Sequence, residues 1–346
     1  SRVAEVVGRT LDEGIPASVL VIEAWADEAT FYLWNDTVYT PVGGADPVPV
    51  EAMRHGGRWP DPKAMTDWLH GQGIRLVLWQ IPVLKDMAED DEMDSHHPQQ
   101  TRDVAYADAA GLTVRAGDAP YRNRGWWFPN SRIIDFSNPA AREWWFAKRA
   151  YLLEESGVDG FKTDGGEHLW GNDVVTHDGA IGDEAGNRFP TQYLEAYHRF
   201  LLTDGRHDRL LFSRAGFTGS QLLPAHWAGD EDSTWEAYRA SLTAGLSAGV
   251  SGVAFWGWDI AGFSGPLPTS ELYQRATAMA AFCPIMQYHS EYNGHRRPLA
   301  DRTPWNMAEQ TGDRRALEVY RHYSRLRMNL EPYLFDQGVV AAQTGL

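Results

Sequence analysis

The stretch Gly157–Glu167, which reads GVDGFKTDGGE, decides the fold that we predict for this chain. A short apolar run follows a glycine and ends abruptly in polar residues, a pattern typical of a buried parallel strand where it leaves the core. Lys162 and Asp164 are two residues apart and therefore share one face of that strand. A carboxylate beside an ammonium group is costly there unless the two are paired or used in chemistry. By itself the stretch fits a salt-bridged strand end as well as it fits a functional site.

Six other segments have the same form, a short apolar run that ends in a polar or aromatic residue. These segments are Ser18–Glu23, Ile74–Gln80, Leu210–Arg214, His226–Asp230, Gly252–Asp259 and Ile285–His289. Helical patterns alternate with them, which indicates parallel strand–helix–strand units. The residues that end the seven predicted strands are Glu23, Trp79, Asp164, Arg214, Asp230, Asp259 and His289. Such endings predict an α/β fold, the (β/α)8 TIM barrel, with an active site at the C-terminal ends of its strands.

The helical patterns have recognisable beginnings and ends. They cover about 2–13, 63–70, 139–152, 193–202, 233–247 and 272–282, and a last helix runs toward Pro332. Ser137 or Asn138 is the expected cap of the third helix, because Pro139 suits the first helical position.

A (β/α)8 barrel has eight strands, whereas this chain opens on a helical pattern. We therefore expect the first strand to lie upstream of Ser1, leaving a gap between the strands at 19–23 and 285–289. We treat residues 1–346 as a single catalytic domain. Rim loops are predicted at about 27–59, 85–128 and 165–190, and loops of such length are usually functional.

Composition narrows the class of protein. The formal net charge of −16 argues against nucleic acid and anionic membrane surfaces as partners. A lone Cys283 excludes an intramolecular disulfide. No apolar run is long enough to cross a bilayer and no signal-peptide pattern opens the chain, which slightly favours the cytoplasm. The 15 tryptophans exceed what packing needs, and exposed indoles suit stacking on sugar faces.

A metal site is the weaker of the chemical interpretations. His96 and His97 are adjacent, but no regular ligand spacing accompanies them, so a solvated loop is the better interpretation. A metal-dependent hydrolase on a barrel rim would need several histidines at strand ends, and His289 alone has that position. We predict neither a metal nor a cofactor.

The predicted rim instead suits glycoside hydrolysis. It combines several carboxylates with tryptophans. One carboxylate can attack the anomeric carbon while a second, with a raised pKa, protonates the leaving oxygen.

Several motifs, in order along nearly the whole chain, resemble those of family 31 glycoside hydrolases, whose members include α-glucosidases and α-xylosidases. Residues 160–167 (GFKTDGGE) resemble the nucleophile signature of that family. Residues 226–230 (HWAGD), followed by Ser233 and Trp235, resemble its acid/base segment. Residues 255–263 (FWGWDIAGF) match a further hallmark. The motifs at 59–62, 135–139 and 323–334 also fit.

The resemblance implies a retaining, exo-acting α-glycosidase with Asp164 as nucleophile and Asp230 as general acid/base. It implies an oligosaccharide or glycoside substrate and β-sandwich domains beside the barrel. Arg214 is expected to lower the pKa of Asp164. The residues expected to line the sugar pocket are Glu23, Trp25, Trp79, Lys162, Arg214, Trp227, Trp256, Asp259 and His289.

Some alternatives stay open at this point. Gly165 stands where the family commonly has an aromatic residue or methionine, which opens space beside Asp164, and Glu23 stands where Asp is more common. An α-galactosidase or an α-N-acetylgalactosaminidase would fit these departures. A catalytically silent carbohydrate-binding barrel is a separate alternative from another functional class. Asp232 rivals Asp230 as the acid/base. Asp259 and His289 could each have only a structural role. The sequence does not distinguish hydrolysis from transfer of the sugar to another sugar.

Overall fold

The computed structural model describes residues 2–87, 98–223, 225–291 and 300–345. Its strands, numbered along the chain, are short. They are β1 (Val19–Ile22), β2 (Arg75–Gln80), β3 (Val83–Leu84), β4 (Arg115–Ala116), β5 (Ala119–Pro120), β6 (Arg132–Ile133), β7 (Gly160–Thr163), β8 (Val174–Val175), β9 (Leu210–Ser213), β10 (His226–Trp227) and β11 (Trp256–Gly257).

The helices contain more of the described residues than the strands do. They are α1 (Arg2–Asp12), α2 (Pro62–Gly71), α3 (Pro98–Ala110), α4 (Pro139–Ala147), α5 (Ala150–Glu154), α6 (Asp183–Leu201), α7 (Trp235–Val250), α8 (Ser270–Ala280), α9 (Pro304–Thr311) and α10 (Arg315–Thr344), with single 3₁₀ turns at Val50–Ala52 and Ser220–Leu222. Among these described helices, none is both long and apolar enough to cross a bilayer.

The chain forms two compact units. The large unit is Ser18–Leu223, and the small unit joins Ser1–Ala17 to Pro224–Leu346. The single-domain organisation of residues 1–346 stays a prediction, and each unit is described by itself.

A parallel sheet with the order β1-β2-β7-β9 forms the centre of the large unit. Leu78 is in register with Phe161, and Phe161 is in register with Leu211. These three side chains are buried, which is why the strands read as continuous apolar runs. Helix α6 covers β7 and β9, and its Tyr197 packs edge-on against Phe161 at 5.5 Å. Parallel register places the C-terminal ends of all four strands at one edge of the sheet.

The helix beginning predicted after residue 135 is confirmed. The Asn138 side chain accepts a hydrogen bond from the Ala140 N–H at 3.0 Å, and Pro139 occupies the first helical position. The helix is interrupted at Lys148, however, where α4 ends and α5 follows. The buried ammonium of Lys148 contacts Asp103 of α3 at 3.1 Å, so a tertiary ion pair forms at the break.

Other helix bounds differ from those predicted. Helix α3 lies within residues 85–128, which were expected to be irregular, and β4, β5 and β8 form a small antiparallel sheet. Helix α6 begins ten residues earlier than predicted, with Asp183 and Glu184 in its first turn, where carboxylates favour a helix N-terminus. Helix α10 continues through Pro332 to Thr344.

In the small unit, β10 and β11 pair in parallel, with His226 opposite Trp256. Among the described residues, the strand predicted at 285–289 is reduced to one isolated bridge between Gln287 and Asp259. The backbone hydrogen bonds that this segment makes to neighbouring segments within the described residues are few, with the Ile285 N–H at a long 3.4 Å from the Trp256 carbonyl and the Ile260 N–H at 3.1 Å from the Gln287 carbonyl. The core of this unit is aromatic and helical, and includes Trp258, Tyr273 and Tyr320.

Candidate active site

Asp164 follows β7 directly and lies at the strand-end edge of the large unit's sheet. Its backbone N–H donates to the Gln80 carbonyl at 2.8 Å, which continues the ladder by one residue. Oδ1 accepts from the Gly165 N–H at 2.7 Å and contacts Nη1 of Arg214 at 3.0 Å, and Oδ2 accepts from Nε1 of Trp79 at 2.8 Å. Both carboxyl oxygens are therefore held in fixed positions.

Burial is the largest influence on this carboxyl. It raises the pKa of Asp164, while the positive charges of Arg214 and Lys162 act in the opposite direction. The predicted effect of Arg214 thus has the right sign. Desolvation nevertheless outweighs both cations, so the pKa of Asp164 is raised overall.

Arg214 connects three groups of the site. Besides Asp164, it donates through Nε to Oε1 of Glu167 at 3.0 Å, and its guanidinium lies 5.0 Å from the centre of the Trp127 ring. Cation–π contact and a bidentate carboxylate fix the plane of the guanidinium. Sequence reasoning missed Glu167 and Trp127 as parts of this arrangement, although both lie in stretches rich in functional residue types.

Lys162 lies on the same face of β7 as Asp164, but its closest acidic partner is Glu23. The ammonium of Lys162 donates to Oε1 of Glu23, which follows β1. Lys162 is buried, whereas the Glu23 side chain keeps 30% of its surface exposed. The strand-end residues Glu23, Trp79, Lys162, Asp164 and Arg214 are therefore brought together as predicted. Their contact with a sugar remains a prediction.

Trp25 does not have the expected position. It is fully buried, it packs edge-on against Trp34 at 5.0 Å, and its Nε1 donates to the Trp79 carbonyl at 2.8 Å. Full burial gives the predicted contact between Trp25 and a sugar no support, and that contact stays a prediction. It instead supports the backbone of Trp79, whose indole reaches Asp164.

The space expected beside Gly165 is occupied by the imidazole of His168. A Cβ atom at Gly165, where φ is +72°, would lie 2.4 Å from Cε1 of His168. The prediction that the glycine opens a vacant space beside Asp164 is therefore wrong. The histidine ring in turn stacks on Trp127, with ring centres 5.8 Å apart.

Asp230 is an exposed residue of the small unit, two residues beyond the Ala228 that follows β10. The segment after it is fastened to the turn that contains Gly262. The Glu231 carbonyl accepts from the N–H groups of Phe263 and Ser264 at 2.8 and 3.0 Å. Gly262 has φ +100°, and a Cβ there would lie 2.8 Å from the Asp232 carbonyl carbon. Only glycine permits this close approach of two backbones.

Arg302 also holds the segment that follows Asp230. It is 1% exposed, and its guanidinium donates to Oγ of Ser233 at 2.6 Å and to the Ser264 carbonyl at 2.8 Å. This arginine lies far along the chain from the motif that it holds, and sequence reasoning missed it.

Glu231, which follows Asp230 in this segment, has a shifted pKa. Burial, together with the negative charges of Asp259 and Asp230, raises the pKa of Glu231 to about 8. Within the described residues, neither carboxyl oxygen has a hydrogen-bond partner. A carboxyl in that position is protonated at neutral pH.

The remaining predicted residues of the small unit are mostly structural. Asp259 is fully buried and accepts from Nε2 of Gln287 at 2.7 Å, so its role in the turn is favoured over sugar contact. Trp227 and Trp256 are 2% and 8% exposed, and the Trp256 ring packs on Gly245 of α7. The predicted sugar contacts of these three residues have no support from their burial and stay predictions. His289 is partly exposed and lies 4.9 Å from the Phe263 ring.

Metal binding has no support in the described part of the chain. No group of three or more His, Cys, Asp or Glu side chains there could hold an ion. His96 and His97 lie outside the described residues.

Comparisons with known proteins agree on one family. The model of the glycosyl hydrolases family 31 TIM-barrel domain matches residues 1–337. This match confirms the predicted fold class and the resemblance noted in the sequence. The 1,3-alpha-isomaltosidase of Kribbella flavida is 50% identical over 94% of this chain and 44% of its own length. The isomaltosyltransferase of Sporosarcina globispora is 42% identical over 100% of this chain and 31% of its own length.

Solved structures give the same result. The cycloalternan-degrading enzyme from Trueperella pyogenes is 49% identical with a TM-score of 0.93, and the match covers 99% of this chain and 48% of that one. The same enzyme has been solved in complex with isomaltose. The chain thus spans about half the length of the relatives it matches, or less.

Proposed function

This chain belongs to family 31 of the glycosyl hydrolases, and from that membership we propose that it carries the active site of a retaining, exo-acting α-glycosidase. Asp164 is the nucleophile and Asp230 the general acid/base. The observation that carries the proposal is the carboxylate of Asp164, buried at a strand end with both oxygens fixed by Trp79, Gly165 and Arg214. A nucleophile needs this combination of fixed orientation and limited hydration.

The reaction has two displacements. In the first, an oxygen of Asp164 bonds to the anomeric carbon, the bond to the leaving oxygen breaks, and the Asp230 carboxylic acid protonates that oxygen. In the second, the Asp230 carboxylate takes a proton from water, the water oxygen bonds to the anomeric carbon, and the Asp164 carboxylate departs. Two inversions leave the anomeric configuration unchanged.

Arg214 contributes at both stages. The negative charge of Asp164 is consumed in the first step and restored in the second, so the guanidinium at 3.0 Å stabilises the carboxylate as it leaves the sugar. Glu167 holds the guanidinium in place and balances its charge.

The substrate that we favour is an α-linked glucan from which an isomaltosyl unit is released. Support comes from the 50% identity to the Kribbella enzyme named a 1,3-alpha-isomaltosidase and from the Trueperella structure with isomaltose. Relatives named α-xylosidases are less similar, at 28% and 30% identity. The α-galactosidase and α-N-acetylgalactosaminidase alternatives have no comparable support.

A second candidate is transfer of the isomaltosyl unit to another sugar. It is favoured by the 42% identity to an isomaltosyltransferase over the whole of this chain. The covalent intermediate is the same, and a sugar hydroxyl replaces water in the second step. Chromatography of products at rising substrate concentration separates the two, since transfer yields oligosaccharides longer than the substrate.

The roles are tested with variants of the full-length protein, for which we propose flanking β-sandwich domains. Asp164→Ala should abolish turnover of all α-glycosides, because no covalent intermediate can form. Asp230→Ala should spare aryl glycosides whose leaving groups need no protonation. Asp232→Ala is the matched control and should retain activity on both substrate types. Loss of activity in that control with normal Asp230→Ala kinetics would reassign the acid/base.

The stereochemistry supplies an independent test. NMR of the first-formed sugar should show the α-anomer. A β-anomer would refute the double displacement and with it the role of Asp164 as nucleophile. Absence of hydrolysis across α-glucosides, α-xylosides and isomaltosides, with sugar binding retained, would favour the silent carbohydrate-binding barrel.

A further inference from the structure

The imidazole of His168 lies beside Gly165, the residue that follows Asp164, and the mechanism above gives it no part. The residue is 5% exposed. One edge of its ring lies where a side chain at Gly165 would be, with Cε1 2.4 Å from that position. One face stacks on Trp127 at an interplanar angle of 27°. The ring is thus wedged between the backbone that follows the nucleophile and an indole, and its orientation is fixed.

Hydrogen bonding assigns the tautomer of this ring. The Gly166 N–H donates to Nδ1 of His168 at 3.2 Å, so Nδ1 carries no proton and Nε2 does. Burial is the main cause that lowers the pKa of His168 to about 4, with Arg214 acting in the same direction and Glu167 opposing. The imidazole is therefore neutral across the range in which glycosidases work.

No acceptor for the proton on Nε2 is present among the described residues. Within the described residues, Nε2 makes no hydrogen bond, and it is not one of their fully buried polar atoms without a partner. A neutral N–H group of fixed orientation, on the ring that contacts the backbone after the nucleophile, therefore reaches accessible space. A ligand that displaces water from this space leaves the donor unsatisfied unless the ligand itself accepts from it.

We propose that His168 is a specificity-determining residue, whose Nε2–H donates to one hydroxyl of the sugar bound beside Asp164, and that Gly165 is present to make room for its ring. The proposal rests on the proposed function, since it assumes that a sugar occupies that place. A site built to donate to a hydroxyl rejects substrates that lack it, because the donor is then left without an acceptor. The ring of His168, three residues further along, fills the place of the side chain that Gly165 lacks.

The test uses two variants of the full-length protein that separate the two ring nitrogens. His168→Asn keeps a polar atom near Nδ1 that can accept from Gly166, but it does not reach the Nε2 position. His168→Gln reaches the Nε2 position and can donate there. Melting curves establish that each variant folds. Kinetics are measured with the α-glycoside that the native protein hydrolyses fastest and with its monodeoxy analogues.

We expect the native protein to lose about tenfold or more in kcat/KM on one deoxy analogue, the usual effect of a lost hydrogen bond in a buried site. His168→Asn should lose a similar factor on the parent substrate and show no further loss on that analogue. His168→Gln should recover part of the discrimination.

Two results would overturn the proposal. One is discrimination by His168→Asn equal to that of the native protein, since the donor would then play no part. The other is full activity of His168→Asn with loss in His168→Gln, which would leave His168 only the task of holding the Gly166 N–H. If the native protein hydrolyses α-glycosides and the variants give either result, this proposal alone is refuted. If the native protein is inactive on all α-glycosides, the proposed function is refuted.

A measurement on the native protein covers the case in which a variant fails to fold. Imidazole ¹⁵N NMR should show Nδ1 without a proton and Nε2 with one at neutral pH. Addition of isomaltose should shift the Nε2–H signal. An unchanged Nε2–H signal at saturating sugar refutes the contact.

Discussion

Replacement of Arg214 by methionine tests the electrostatics of the nucleophile most directly. Methionine has a similar length and no charge, so Arg214→Met removes the guanidinium that lies 3.0 Å from Oδ1 of Asp164. An opposite charge at that distance lowers a carboxyl pKa by about 1–3 units. Its loss adds to the upward effect of burial, so the pKa of Asp164 rises further by about that amount.

The assay is the pH dependence of kcat/KM, which reports groups of the free enzyme. With an activated aryl α-glycoside as substrate, the acidic limb reports ionisation of the nucleophile. Since the variant needs a higher pH to ionise Asp164, this limb should move upward by about 1–3 units. Below the limb, each pH unit of displacement lowers the ionised fraction of Asp164 tenfold, which corresponds to about 1.4 kcal/mol of free energy.

The matched control is Arg188→Met, which makes the same charge change on the exposed surface of α6, where Arg188 pairs with Asp178. Its limb should stay in place because water and salt screen a distant exposed charge. An Arg214→Met profile that falls in amplitude but keeps its acidic limb would refute the reasoning. Arg214 would then act on the substrate rather than on Asp164.

Three further predictions concern neighbouring groups. Trp79→Phe removes the donor to Oδ2 of the nucleophile and should lower kcat/KM by about 10- to 100-fold in steady-state assays, the range for hydrogen bonds to charged groups. Gly165→Ala should lower the free energy of unfolding, measured by denaturant titration, by about 2–4 kcal/mol, from the positive φ and the contact with His168. Gly117→Ala is the control, because Gly117 has φ +58° and no atom of the described residues lies within 4 Å of the added Cβ. It should lose only the stability that the positive φ costs, and an equal loss in both variants would refute the contact between residue 165 and His168. The carboxyl of Glu231 keeps its proton in the folded state up to about pH 8, whereas in the unfolded chain its pKa is 4.5. The stability that this proton binding contributes is therefore complete below pH 4.5 and is lost as the pH rises through 8. Tm of Glu231→Gln should lack that decline, and a parallel decline in both proteins would contradict the assignment.

The strand-end residues of the large unit could be predicted because they depend on local rules. Alternation along a strand places Lys162 and Asp164 on one face, and parallel register brings Glu23, Trp79 and Arg214 to the same edge. These rules need only the spacing of apolar residues along the chain. They place Asp164 beside its cationic neighbours, whereas its role as nucleophile is implied by the resemblance to family 31.

Positions set by packing between distant segments could not be predicted in this way. Trp25 and Trp79 both lie near the ends of neighbouring strands. The indole of Trp25 nevertheless turns into the core, whereas that of Trp79 reaches the carboxylate of Asp164. The segment 285–289 has the composition of a strand, yet among the described residues it forms only one isolated bridge, between Gln287 and Asp259. His168 and Arg302 acquire their roles only where the folded chain brings a ring or a guanidinium against another segment.

The difference in strand length between the two units has a consequence for exchange of amide protons with solvent. Strand β7, which leads to Asp164, pairs with β2 and β9 along all four of its residues. Strand β10, which leads to Asp230, pairs with β11 along two residues. Amides of β7 should therefore exchange through global opening, and those of residues 228–232 through local opening at lower free energy. During evolution, substitutions around Asp230 can then alter how the leaving group is handled while most of the folding stability is kept.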